Sequence, residues 1–161
     1  MRQLLLLRHA HAENAVPGSA DFDRPLSPRG RAEALEAAHC IRAARLHCDE
    51  LLVSPATRTR QTAAILADEL ECAARTRYER DLYLADASML LQIIAGADAS
   101  AVTVLVVAHN PGISELAQHL AAADPPVELR TSGLCLLRFD ADGSDWNALE
   151  TYRADWVRLL R

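Results

Sequence analysis

Apolar residues along this chain follow two patterns. Short runs apolar at every position alternate with longer stretches where apolar residues recur three and four positions apart. The first run, residues 3–7, reads "QLLLL" and fits a strand covered on both faces of a sheet. Ser27 then stands as an N-cap before Pro28 at the first helical position, and Ala34, Leu35, Ala38 and Ile41 mark the inner face of a helix. Glu50–Val53 predicts a second strand. Ser54 and Pro55 repeat the cap-and-proline signal, and Ala63, Ala64, Ile65 and Leu70 continue a helix after them. Arg75–Tyr78 predicts a weaker strand, and Ala87–Ala95 a short helix ended by Gly96. Residues 102–107, β-branched through the centre, predict the strongest strand, and residues 113–121 a helix. Leu134–Phe139 and residues 148–152 predict late strands at a sheet edge. Residues 14–25 and 123–129, rich in Pro, Gly or Asp, predict the longest loops.

Strand alternating with helix argues for an α/β fold with a largely parallel sheet, and 161 residues fit a single domain spanning 1–161. Ligands of such sheets bind beyond the carboxyl ends of the strands. Three groups of polar residues fall at those ends. Arg8 and His9 follow the first strand, Ser54 to Arg58 follows the second, and His109 follows the strongest.

Two arginines and two histidines at one rim suit a tetrahedral oxyanion. Guanidinium groups grip such oxygens through paired hydrogen bonds. Arg58 is expected in the first turn of its helix, where free backbone N–H groups favour an anion. A neutral imidazole can attack phosphorus, and nearby arginines disfavour its protonated form. Its other nitrogen must then donate to a fixed acceptor, which sets the tautomer. Arg8, Arg58 and His109 can stabilise charge on the transferring oxygens, and a carboxylic acid is expected near the leaving group.

Composition narrows the partners. The net charge is −5, and all 17 basic residues are arginine, so nothing suggests a nucleic-acid surface. The leucine run is far too short to cross a membrane. Cys40, Cys48, Cys72 and Cys135 show no metal spacing and read as reduced, mostly buried thiols of a cytoplasmic protein.

Four stretches carry a family resemblance: "LLLLRHAHAE", "RPLSPRGRAEA", "LLVSPATRTRQTA" and "VLVVAHNPG". Together they resemble the histidine phosphatase superfamily, also called phosphoglycerate mutase-like. The resemblance implies a three-layer α/β/α sandwich and an enzyme without metal or organic cofactor. It implies that His9 is the phosphorylated nucleophile, that Arg8 and Arg58 hold the phosphoryl oxygens, and that His109 completes the pocket. The short length and "RHAHAE" look most like small SixA-type phosphohistidine phosphatases, which lack the insertions that cover the pocket in mutases. The implied substrate is phosphohistidine on a protein, with a small phosphate ester such as a sugar phosphate as the alternative.

Two positions depart from or stretch the pattern. Ala10 stands where the familiar motif has glycine. Larger relatives place a glutamate after the third strand, where this chain offers Glu79 and Asp81; Asp81, just before the apolar "LYLA", is the favoured acid. A phosphohistidine needs less help from an acid, because its leaving nitrogen can already carry a proton. His11 is a candidate for touching substrate at the rim, with surface filler an equal reading. His9 and His11 also open the reading of a metallohydrolase, but barrels with that motif typically need ~250 residues. A reading of another class is a non-catalytic phosphate-binding module.

Overall fold

A computed structural model describes residues 1–71, 75–121, 126–139, 145–151 and 153–161. Cys72, Tyr152 and the first residues of the expected loop 123–129 lie outside them. Six strands, β1 (Arg2–Arg8), β2 (Glu50–Val53), β3 (Arg75–Tyr78), β4 (Thr103–Ala108), β5 (Leu134–Phe139) and β6 (Trp156–Leu159), form one sheet in the order β3-β2-β4-β1-β5-β6. The first four run parallel; β5 is antiparallel to β1, and β6 to β5.

The all-apolar runs are strands because both faces of the sheet are covered. Leu4 and Leu6 join Val104 and Val106 in one core, with Leu90 and Ile94 of α3 (Ala87–Ala95) and Ile113 and Leu116 of α4 (Gly112–Ala121). Leu5 and Leu7 join Leu105 and Val107 in the other, with Ala37, Ala38 and Ile41 of α1 (Pro28–Ala43) and Ala63 and Leu66 of α2 (Thr57–Glu69). The result is the three-layer α/β/α sandwich. Leu4 to Leu7 are fully buried, each worth ~1.5–3 kcal/mol relative to exposure.

Ser27 caps α1 as expected, its Oγ accepting from Gly30 N at 3.0 Å. Ser54 does not cap α2, whose N-cap residue is Ala56. Residues 148–151, the described part of the other expected late strand, are not a strand either. Trp146–Thr151 forms a 3-10 turn, in which Trp146 and Leu149, three apart, both reach the core. Trp146 Nε1 donates to Ala101 O at 3.0 Å, which fixes the turn against the start of β4. The last strand lies later, at Trp156–Leu159, and takes the edge, leaving β5 inside the sheet. No helix among the described residues is long and apolar enough to cross a membrane. Cys48 and Cys135 are buried, the Cys48 thiol donating to Glu50 O at 3.3 Å, and Cys40 is half-buried.

Candidate active site

The carboxyl ends of β1, β2 and β4 bring His9, Arg58 and His109 together. Each is delivered by the first residues beyond a strand or by the first turn of the following helix. His9 follows β1, and backbone bonds on both sides fix its position: its N–H donates to Ala108 O at 3.0 Å, and its carbonyl accepts from Ser132 N at 3.1 Å. The His9 and His109 ring centroids are 5.2 Å apart.

The hydrogen bonds define both tautomers. Nδ1 of His9 lies 2.7 Å from Ala10 O and donates to it, because a carbonyl can only accept. Nε2 therefore carries a lone pair, and Arg58 Nε–H points at it from 3.3 Å. Arg58 Nη2 lies 3.3 Å from His109 Nδ1, which must accept, so His109 Nε2–H donates to Ser54 Oγ at 2.7 Å. Ser54 is fully buried and gives its hydroxyl to this histidine, two residues before the N-cap position of α2.

Electrostatics keep both rings neutral. Burial, with Arg58, Arg8 and Arg24 nearby, pushes His9 down to about 4 despite its bond to Ala10. Burial, with His9 and Arg58 close by, pushes His109 down to about 3. A ring with a free Nε2 lone pair at neutral pH is able to act as a nucleophile.

Arg58 is 3% exposed, and its guanidinium is used on two edges. Nε and Nη2 face the two imidazoles. Nη1 and Nη2 grip Asp21, through its carbonyl at 2.7 Å and its Oδ2 at 3.0 Å. Asp21 sits in a short 3-10 turn, Asp21–Asp23, within the expected loop 14–25. The ends of that loop are joined by a bridge between Ala12 and Leu26. Asp21 also accepts from Tyr83 Oη at 2.8 Å and from Arg24 Nη1 at 2.8 Å. These bonds from Arg24 and Tyr83, with Arg58 behind them, hold its carboxyl well below the usual range. Tyr83 stands edge-on to His109 at 5.4 Å and to Phe22 at 5.1 Å.

Arg8 donates from Nη1 to Leu129 O at 3.2 Å, while its buried Nε finds no partner among the described residues. Burial lowers its pKa, and Glu128 and Glu33 counter that shift. Asp81 is exposed on the turn Arg80–Leu82 and lines, with Tyr83, Asp86 and Gln92, a surface cavity of about 410 Å³. Glu79 is ion-paired with Arg77 at 2.6 Å. Among the described residues, neither carboxylate hydrogen-bonds to the histidine–arginine cluster. His11 turns its Nδ1 to Ser27 Oγ at 2.8 Å, and its backbone N–H donates to Glu33 Oε2 at 3.0 Å. It braces the entry to α1, and no third His, Cys, Asp or Glu joins it and His9 in a metal-sized group among the described residues. Ala10 fits without strain: it is fully buried, and its N–H donates to Thr62 Oγ1 at 3.1 Å.

Asp21, Tyr83 and the Ser54 contact were not singled out as site residues in the sequence. Known proteins resemble this chain in sequence and fold. The model of the histidine phosphatase superfamily (branch 1) matches residues 4–83. The uncharacterized protein Rv1276c of Mycobacterium tuberculosis is 39% identical over 145 residues, covering 84% of this chain and 89% of its own. Phosphohistidine phosphatase SixA of Escherichia coli is 25% identical over 146 residues, covering 88% of each chain. The crystal structure of the Agrobacterium tumefaciens protein assigned as phosphohistidine phosphatase SixA superposes with a TM-score of 0.79 at 33% identity, over 84% of this chain and 90% of that one. The chain belongs to the histidine phosphatase superfamily.

Proposed function

We propose that this protein removes phosphoryl groups from phosphohistidine on a partner protein, by way of a phosphohistidine formed on its own His9. One observation carries the reading: His9 holds an unprotonated Nε2 against Arg58 while Ala10 O holds its Nδ1–H.

In the first step His9 Nε2 forms a bond to phosphorus and the substrate's P–N bond breaks, its electron pair going to the departing nitrogen. Phosphoryl oxygens replace the two imidazoles as partners of Arg58 Nε and Nη2, and Arg8 Nε supplies a further buried donor. Fixed donors of this kind act where charge develops, without reorganising. The phosphorylated His9 keeps its Nδ1–H on Ala10 O. Water then attacks phosphorus, the bond to Nε2 breaks, and dihydrogen phosphate leaves with both protons of that water. His9 returns to its starting tautomer, and the cycle calls on no metal.

Phosphohistidine is favoured over an ester because transfer from one imidazole to another needs no external proton. A substrate ring protonated on its distal nitrogen leaves as neutral imidazole. An alkoxide leaving group would need an acid, and neither Asp81 nor Glu79 contacts the cluster at rest. The SixA relatives support the same substrate class.

The test is turnover of a phosphohistidine protein beside a panel of small phosphate esters, after exhaustive chelation. Faster turnover of the phosphohistidine protein supports the reading. Preference for an ester replaces it with a small-molecule phosphomonoesterase, phosphate binding without release from any activated substrate makes the protein a binding module, and activity lost on chelation points to metal chemistry.

A further inference from the structure

Among the described residues, Asp21 is the one carboxylate that hydrogen-bonds to the cluster, and its surroundings say what it can and cannot do. Three donors converge on it: Arg58 and Tyr83 on Oδ2 and Arg24 on Oδ1. A carboxyl so surrounded stays ionised, so it has no proton to give to a leaving group. It does have accepting capacity left. Oδ1 takes a single hydrogen bond from a side chain, and the Asp21 side chain remains 45% exposed. The contact with Arg58 uses the guanidinium edge that faces away from the imidazoles, so a phosphoryl group can arrive on the other edge without displacing it.

We propose that Asp21 sets the leaving-group preference of this site, as a fixed anion that favours phosphoryl groups carried on a cationic nitrogen base. This rests on the phosphatase reading above and deepens it. The reactive form of a phosphoimidazole carries a proton on its distal nitrogen. When its P–N bond breaks, the electron pair neutralises that ring and the proton stays where it was. Asp21 stabilises the positive ring on arrival, and the site has no need to protonate it. Arg24 and Arg58 offset part of that attraction, so the effect is moderate.

The experiment compares kcat/KM for phosphoimidazole and for p-nitrophenyl phosphate, whose leaving group needs no proton, in the wild type, Asp21→Asn and Asp21→Glu. The preference for phosphoimidazole over the ester falls about tenfold in Asp21→Asn, as expected for one charge a few ångströms away, and recovers in Asp21→Glu. Asp21→Ser, which removes the charge with a smaller side chain, shows the same fall. An unchanged preference in both neutral variants, with both substrates slowed alike, overturns the proposal and leaves Asp21 as a support for Arg58. A wild type that hydrolyses the ester but not phosphoimidazole overturns the phosphohistidine reading itself, and this proposal with it.

Discussion

Arg58 donates its Nε–H to Nε2 of His9 across 3.3 Å, so the most buried arginine of the site rests on the atom proposed as the nucleophile. In the proposed mechanism a phosphoryl group enters at this contact, between a lone pair and a guanidinium edge. Replacing Arg58 by alanine removes that edge. Transition-state stabilisation falls by ~2–4 kcal/mol, by analogy with deleting one oxyanion donor. Measured kcat/KM should drop accordingly, and Arg58→Lys should recover little, because a point charge cannot serve two oxygens and Asp21 together. A near-wild-type rate in Arg58→Ala places this residue outside the reaction.

Ser54→Ala tests the second imidazole. Ser54 is buried and holds His109 Nε2, so the variant leaves that N–H without an acceptor and lets the ring rotate. A loss of about tenfold in kcat is expected, the rate equivalent of one hydrogen bond. Unchanged kcat shows that the orientation of His109 has no part in the chemistry.

The depressed imidazoles fix the pH dependence. His9 sits at about 4 and His109 at about 3, against 6.5 for a free ring. The acid limb of kcat/KM due to His9 should lie near pH 4, once ionisation of the substrate is allowed for. Stability follows the same linkage. As pH falls through 6.5 the unfolded chain takes up protons that the folded rings refuse, so unfolding becomes easier down to pH 4 for His9 and 3 for His109, and the effect then levels. Denaturant titrations of the phosphate-free protein should show stability rising with pH across that window. The opposite slope, with other groups accounted for, means the rings are charged in the fold.

Gly30 is where α1 meets the loop after β1. A Cβ there would stand 1.9 Å from His11 O, a backbone atom held by Ser27. Gly30→Ala should destabilise the protein by ~1–3 kcal/mol in denaturant unfolding, because one element must shift. Unchanged stability would show that this helix entry has slack.

Much of this site was legible in the chain because it lies where strand pattern and position rule coincide. The leucine run and the "VLVVA" run are strands covered on both faces, so Arg8, His9 and His109 had to fall at one rim. Ser27 and Pro28 marked α1 because the Ser27 hydroxyl accepts from Gly30 N at the helix start even while it also meets His11. Ser54 carried the same local signal, but α2 begins only at Thr57, and no local pattern reveals that the Ser54 hydroxyl meets a histidine 55 positions away. Asp21 was hidden for a similar reason. Its loop has no periodicity, and its role depends on Arg58 and Tyr83, which only the tertiary fold brings to it. Residues 148–152 read as a late strand because a short apolar segment looks the same whether its side chains alternate or recur every third residue, as Trp146 and Leu149 do.

The most direct measurement is to mix the protein with a labelled phosphoryl donor, quench it in alkali and find the label. The label should sit on Nε2 of His9, survive alkali, vanish in acid, and be missing from His9→Ala, which folds but does not turn over. Label on another residue, or full turnover by His9→Ala, contradicts the assignment of the nucleophile.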